Sequence, residues 1–223
     1  MPWGPEKKKC QKEEDKVFQI LIKGGWMMIP LAACSLVAVT IIIDRFMFFK
    51  RIGAAHRGEE VIAAVRQGKV DGALTIVDQG PGTDKGNPLP IMRVLSAGIT
   101  HPSDPEGAMG AAAVAELSLM KRGLVALDTI ITASPLLGLL GTIIGMIDSF
   151  KVVSAAGLGQ PHAVTGGVAE ALIATATGIT IAVITLFPYN YFLSRIERET
   201  DLIEVFSTRL EMAMAKIQKE QGQ

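Results

Sequence analysis

Charged residues vanish from three stretches of this chain. Gly24 to Ile43 is a run of twenty residues without a charge, opened by Lys23 and closed by Asp44-Arg45. Thr129 to Ile147 is a second uncharged run, fenced by Asp128 and Asp148. The third, Ala171 to Ser194, is closed by Arg195 and extends backwards through Val168-Ala169 towards Val164, with Glu170 inside that extension. About 20 apolar helical residues cross a bilayer core of about 30 Å, so each run predicts a transmembrane helix. Each run also holds one proline, Pro30, Pro135 and Pro188. Membrane helices accept proline because neighbouring groups re-satisfy the freed carbonyl, and a fixed kink is the expected consequence.

Outside these runs the pattern becomes amphipathic. Residues 57–67 read as a short helix ending at Gly68, and Asp71 is placed to cap another that reaches about Gln79. The stretch Gly80-Pro81-Gly82-Thr83-Asp84-Lys85-Gly86-Asn87-Pro88 reads as a loop, taken as 80–90. Asp104-Pro105 is a helix start, with a capping side chain followed by proline at the first helical position. From there Met109, Ala113, Leu117, Met120, Leu124 and Leu127 step by three and four into span two, which predicts one unbroken helix over 105–149. Leu193, Ile196, Ile203, Leu210, Met214 and Ile217 form a heptad-like stripe that carries span three onwards. Either stripe can pack within the chain or form a seam between subunits.

The predicted fold is an all-α integral membrane protein with three transmembrane helices, spans two and three extending as long helices into the cytoplasm. Its segments are a polar N-terminal part (1–23), span one (24–43), a helical region with a loop (44–104), the long helix with span two (105–149), a short connection (150–163), span three (164–192) and a C-terminal helix (193–223). Lys121 and Arg122 precede span two and Arg195 and Arg198 follow span three, whereas the connection holds only Lys151 and His162. The positive-inside rule therefore places residues 44–128 and the C-terminal tail in the cytoplasm and the N-terminus outside. The lysines at 7, 8, 9, 12, 16 and 23 run against that rule. Two span ends agree on this topology.

Composition narrows the class. A mean hydropathy of +0.35 with only 5% aromatic residues means that the apolar mass is aliphatic side chains, Ala and Gly, which suits closely packed membrane helices. Lysine plus arginine equals aspartate plus glutamate at 22 each, so nothing in the charge argues for nucleic acid. Cys10 and Cys34 have no metal-ligand spacing, and one lies in a polar tail and the other in an apolar run. Leu31-Ala32-Ala33-Cys34 resembles a lipoprotein processing box, but the apolar run continues past Cys34 to Ile43, as a span requires.

The candidate chemistry is a single carboxylate. An ionised carboxylate in a bilayer costs on the order of 3 kcal/mol, so such groups face a cavity, a partner or a proton path. If span three starts near Val164, Glu170 is about 9 Å inside. The alternative is that Glu170 sits at the interface and is simply wet. Hydroxyls surround it: Thr175, Thr177, Thr180 and Thr185 on span three, and Thr129, Thr132, Ser134 and Thr142 on span two. The common fate of a membrane threonine is a bond to its own helix's carbonyl one turn back. Counted from the span ends, Thr142 and Thr175 lie at nearly the same level, as a polar ring around a pore needs. At about 100° per residue, Thr177 and Thr185 lie nearest the Glu170 face, whereas Thr175 is about 140° away. Glu170 and Thr175 therefore point in different directions. Gly138, Gly141 and Gly145 are small residues that let helix backbones approach. The three histidines are scattered, and there is no phosphate-cradling Gly-x-x-x-x-Gly-Lys run, no nucleophile site, no metal site and no implied cofactor. An ion gradient, rather than enzymatic chemistry, is the expected energy source.

Leu136-Leu137-Gly138-Leu139-Leu140-Gly141-Thr142-Ile143-Ile144-Gly145-Met146-Ile147 and Gly167-Val168-Ala169-Glu170-Ala171-Leu172-Ile173-Ala174-Thr175-Ala176 closely resemble the paired signature of the MotA/TolQ/ExbB proton-channel family. Span one and its exit, Ile41-Ile42-Ile43-Asp44-Arg45, resemble that family too. The resemblance implies a bacterial inner-membrane homopentamer around a pore that holds single-span helices of an ExbD/TolR-type partner. Proton flow would pass work to a periplasmic TonB-like or TolA-like effector. It also implies pore threonines at Thr142 and Thr175, with Glu170 as the intramembrane glutamate and the essential aspartate on the partner. Flagellar members usually have a fourth span, so an ExbB-like or TolQ-like role fits better than a motility stator. A non-conducting scaffold for a partner is the reading of a different class.

Overall fold

The computed structural model describes residues 25–51, 55–78, 89–156 and 161–221. Among them lie seven helices and no strand: α1 Met28–Arg51, α2 Ala55–Arg66, α3 Val70–Asp78, α4 Pro90–Thr100, α5 Pro105–Lys121, α6 Leu124–Ala156 and α7 Pro161–Gln221. Three helical stretches are long and apolar enough to cross a membrane, within Met28–Lys50, Pro105–Ser154 and Thr165–Ile217. The polar segment 1–23, loop residues 79–88 and residues 157–160 of the connection lie outside the described residues.

The chain forms two compact units. One comprises Met1–Ile42 with Val125–Tyr189, the other Ile43–Leu124 with Asn190–Gln223. In the first, the three spans pack through small residues. A Cβ placed on Gly138 would lie 2.9 Å from the Thr175 Cα, one on Gly141 2.8 Å from the Ala174 Cβ, and one on Gly145 2.9 Å from the Ala171 Cβ. Gly167 meets Ser149, and Gly178 meets the Ser134 carbonyl. Each pair joins α6 to α7 in antiparallel register, and the missing side chains let the two backbones close. The opposite faces stay apolar and uncovered. Leu36 on α1, Leu136 on α6 and Phe187 on α7 are 71, 64 and 71% exposed. A bilayer or a neighbouring subunit covers such surfaces.

The second unit has a core of its own. α4 buries Ile91, Met92, Val94, Leu95 and Ile99 and packs on α5, which buries Met109 and Met120. Of the α7 stripe, Ile196, Ile203 and Leu210 are buried and Leu193, Met214 and Ile217 half-buried, and Phe192 and Phe206 beside it are buried too. Phe192 stacks on Phe49 with ring centroids 5.6 Å apart, and Gly58 lies against the Phe206 ring. Arg209 holds both carboxylate oxygens of Glu59.

Several boundaries differ from the sequence reading. The stripe into span two is broken. α5 ends at Lys121 and α6 begins at Leu124, because Gly123 adopts φ +81°, a left-handed conformation that glycine enters without Cβ strain. Asp71 lies in the first turn of α3 rather than capping it, since the Ala73 amide already bonds to the Lys69 carbonyl at 3.0 Å. Pro90 opens α4 instead of ending the loop, as its fixed φ suits a first helical position. α1 starts at Met28, after a turn at Gly25 with φ +70°, not at residue 24. The connection is shorter than 150–163. α6 continues to Ala156, with no Gly or Pro before Gly157 to stop it, and α7 opens on Pro161. The Asp104 start stands as read, its side chain accepting from the Gly107 amide at 3.0 Å.

Candidate functional site

Glu170 is the tenth residue of α7, roughly 14 Å along from Pro161. Its carboxylate reaches the beginning of α1. A Cβ on Gly25 would overlap Oε1 of Glu170 and lie 2.8 Å from its Cδ and 3.2 Å from its Cγ. Gly25 and Trp26 supply the carbonyls that accept from the Met28 and Ile29 amides, both at 3.1 Å, so the turn that starts α1 lies directly beneath the carboxylate. The first amides of a helix have no intrahelical partner and form the positive end of its dipole. α1 has no acidic residue in its own first turn. Glu170, from another helix, brings its carboxyl group close to that end.

A cleft of ≈ 70 Å³ opens at this point, lined by Trp26, Met27, Gly141, Ile144, Gly145, Asp148, Gly167 and Glu170. The glycines make it: at Gly141, Gly145 and Gly167 no side chain fills the space. A cleft of this size with carboxylates in its wall has room for water. It carries two carboxylates. Asp148 is paired with Lys151 at 2.8 Å, an exposed pair of little energetic weight. Among the described residues no cation pairs with Glu170.

The hydroxyls divide into two groups. Thr129, Thr132, Thr142, Thr177, Thr180 and Thr185 each bond to a carbonyl three or four residues back on their own helix. Thr175 does not. Its Oγ1 donates across to the Gly138 carbonyl of α6 at 2.8 Å. Ser134 is fully buried with no hydrogen-bond partner for its Oγ among the described residues. With Gly141 opposite Ala174, the register puts Thr142 within about 3 Å of Thr175 along the helix axis. Thr142 is partly exposed. The structure thus brings Glu170, Gly141 and Gly145 together at one cleft. Thr175 and Gly138 meet about one turn deeper, and Thr177 turns to its own helix. Glu170 faces α1 whereas Thr175 faces α6, in keeping with the angle between them.

Gly25, Trp26, Met27 and Asp148 belong to this site and were not among the residues singled out from the sequence. The Gly24-Gly25 doublet at the start of the first uncharged run is a turn signal in the sequence, and Asp148 stands out there only as the charge that ends the second run. No three His, Cys, Asp or Glu side chains gather as metal ligands among the described residues.

Comparison with known proteins bears on the same segments. Residues 88–205 match the MotA/TolQ/ExbB proton channel family. A Synechocystis protein named ExbB-like 3, described as a biopolymer transport protein, is 34% identical over 85% of this chain and 90% of its own length. Its ExbB-like 1 counterpart in the same organism is 32% identical over 88% of this chain and 78% of its own. The Tol-Pal system protein TolQ of Pseudomonas aeruginosa is 27% identical over 79 and 83% of the two chains.

Proposed function

This chain belongs to the MotA/TolQ/ExbB proton channel family, and from that premise we propose that it is the pore-forming subunit of an inner-membrane, proton-driven motor. It is a multi-pass membrane protein of a transport class. The observation that carries the proposal is Glu170: a carboxylate in a unit of apolar helices, exposed in a cleft with room for water and about one turn from the Thr142/Thr175 level. A group that must give up and take back a proton needs that combination of isolation and water access.

In this reading five copies surround a pore, and their uncovered apolar faces meet each other and the bilayer. The helices of a single-span ExbD/TolR-type partner occupy the pore and supply the essential aspartate. The N-terminus faces the periplasm, and residues 44–128 and the C-terminal tail face the cytoplasm. The work is passed to a TonB-like or TolA-like effector, in biopolymer import or envelope maintenance.

The test is proton flux into vesicles that contain the chain and the single-span protein that co-purifies with it. Flux is expected only when both are present. Combining Glu170→Gln with Thr175→Val lowers it by about tenfold or more. Wild-type flux from that double variant overturns the site, and assembly without flux in the wild type favours the scaffold.

A further inference from the structure

We infer that Gly25 is a positioning residue for Glu170: its missing side chain lets the carboxylate lie over the start of α1 and face the cleft. The inference rests on the role just proposed for Glu170.

Two independent features meet at this glycine. Its φ of +70° is a conformation that L side chains rarely adopt. A Cβ there would also collide with three atoms of one side chain, Oε1, Cδ and Cγ of Glu170. Gly68 offers the contrast: its φ is +73°, and a Cβ on it meets nothing within 4 Å. Backbone geometry alone explains a glycine at 68. At 25 the carboxylate is a second reason.

Beside Glu170, α6 and α7 approach each other at Gly145 and Gly167, where a Cβ on Gly145 would lie 3.1 Å from the Gly167 carbonyl. Asp148, a like charge, lines the same cleft. A methyl at position 25 therefore swings the carboxylate towards Asp148 or out to the lipid-facing side. Either direction takes it from the turn that begins α1. Displacing a reacting group by about 1 Å can cost up to a hundredfold in rate.

The geometry also predicts its own rescue. Aspartate is one methylene shorter and has no atom at the Oε1 position that a methyl at position 25 would overlap, so the worst of the collision is removed. In vesicles that hold the whole complex, Gly25→Ala is expected to lower proton flux about tenfold, against less than twofold for Gly68→Ala, which has the same backbone strain without the contact. In a Glu170→Asp background, Gly25→Ala should cost less than twofold, a non-additive cycle. The mass of the detergent-extracted complex checks that each variant assembles. Equal losses from Gly25→Ala in both backgrounds, or a loss no larger than that of Gly68→Ala, overturn the inference. Full flux from Glu170→Gln instead overturns the proposed site, and this inference with it.

Discussion

At Gly138 a single methyl group has nowhere to go. It would lie 2.9 Å from the Thr175 Cα and 3.0 Å from the Ala174 carbonyl oxygen, both backbone atoms that cannot rotate aside. Gly138→Ala is expected to lower stability by about 1–3 kcal/mol through overpacking, and the Thr175–Gly138 hydrogen bond stretches with it. Gly110, inside α5, has nothing within 4 Å of its Cβ position. Gly110→Ala should raise stability by about 0.5–1 kcal/mol, because alanine loses less backbone freedom in a helix. Thermal unfolding of the two variants in detergent checks the opposite signs. Glu170 was legible in the sequence because a charge stands out in an apolar run. The Thr175 bond was not, since periodicity read along one helix says nothing of a bare carbonyl on the helix facing it. Gly25 was hidden for the same reason: its partner lies far along the chain.

Arg45, at the exit of span one, is only 7% exposed. Its guanidinium donates to the Leu119 carbonyl in the last turn of α5 at 3.1 Å, pairs with Asp44 at 2.7 Å and lies 4.8 Å from the Phe48 ring centroid. A cation on a helix's last carbonyls is favourable for both hydrogen bonding and dipole. Arg45→Ala is expected to lower the stability of this unit by about 2 kcal/mol, seen as a lower denaturation midpoint. The α5–α6 break was written in the sequence as Lys121-Arg122-Gly123, a basic last turn followed by glycine. The apolar stripe ran straight across it and masked it. Further back on α5, Glu116 is buried and pairs with Arg93 at 3.1 Å. Burial pushes its carboxyl above the usual range, and Arg93 draws it part of the way back. A raised carboxyl favours the folded state most at low pH, and that contribution fades as pH rises through the folded value. The stability of wild type relative to Glu116→Gln should therefore be higher at pH about 4.5 than at pH about 7.5. Paired melting curves at the two pH values measure it, and a difference that grows with pH contradicts the assignment.

For the whole molecule, three uncharged runs were enough to read the membrane helices, because bilayer thickness sets their length. Two signature runs were enough to read the family. The two separate units were not legible, since their residues interleave along the chain. Part of the α7 stripe, Ile196, Ile203 and Leu210, is buried in its own unit, whereas the outward faces of the spans leave Leu36, Leu136 and Phe187 uncovered. The account stands or falls on whether the carboxylate in the cleft handles protons. The direct measurement is proton flux through vesicles carrying the Glu170→Gln complex, its assembly verified by mass. The account predicts a loss of at least about tenfold with the assembled mass unchanged. Flux equal to that of the wild type would contradict it.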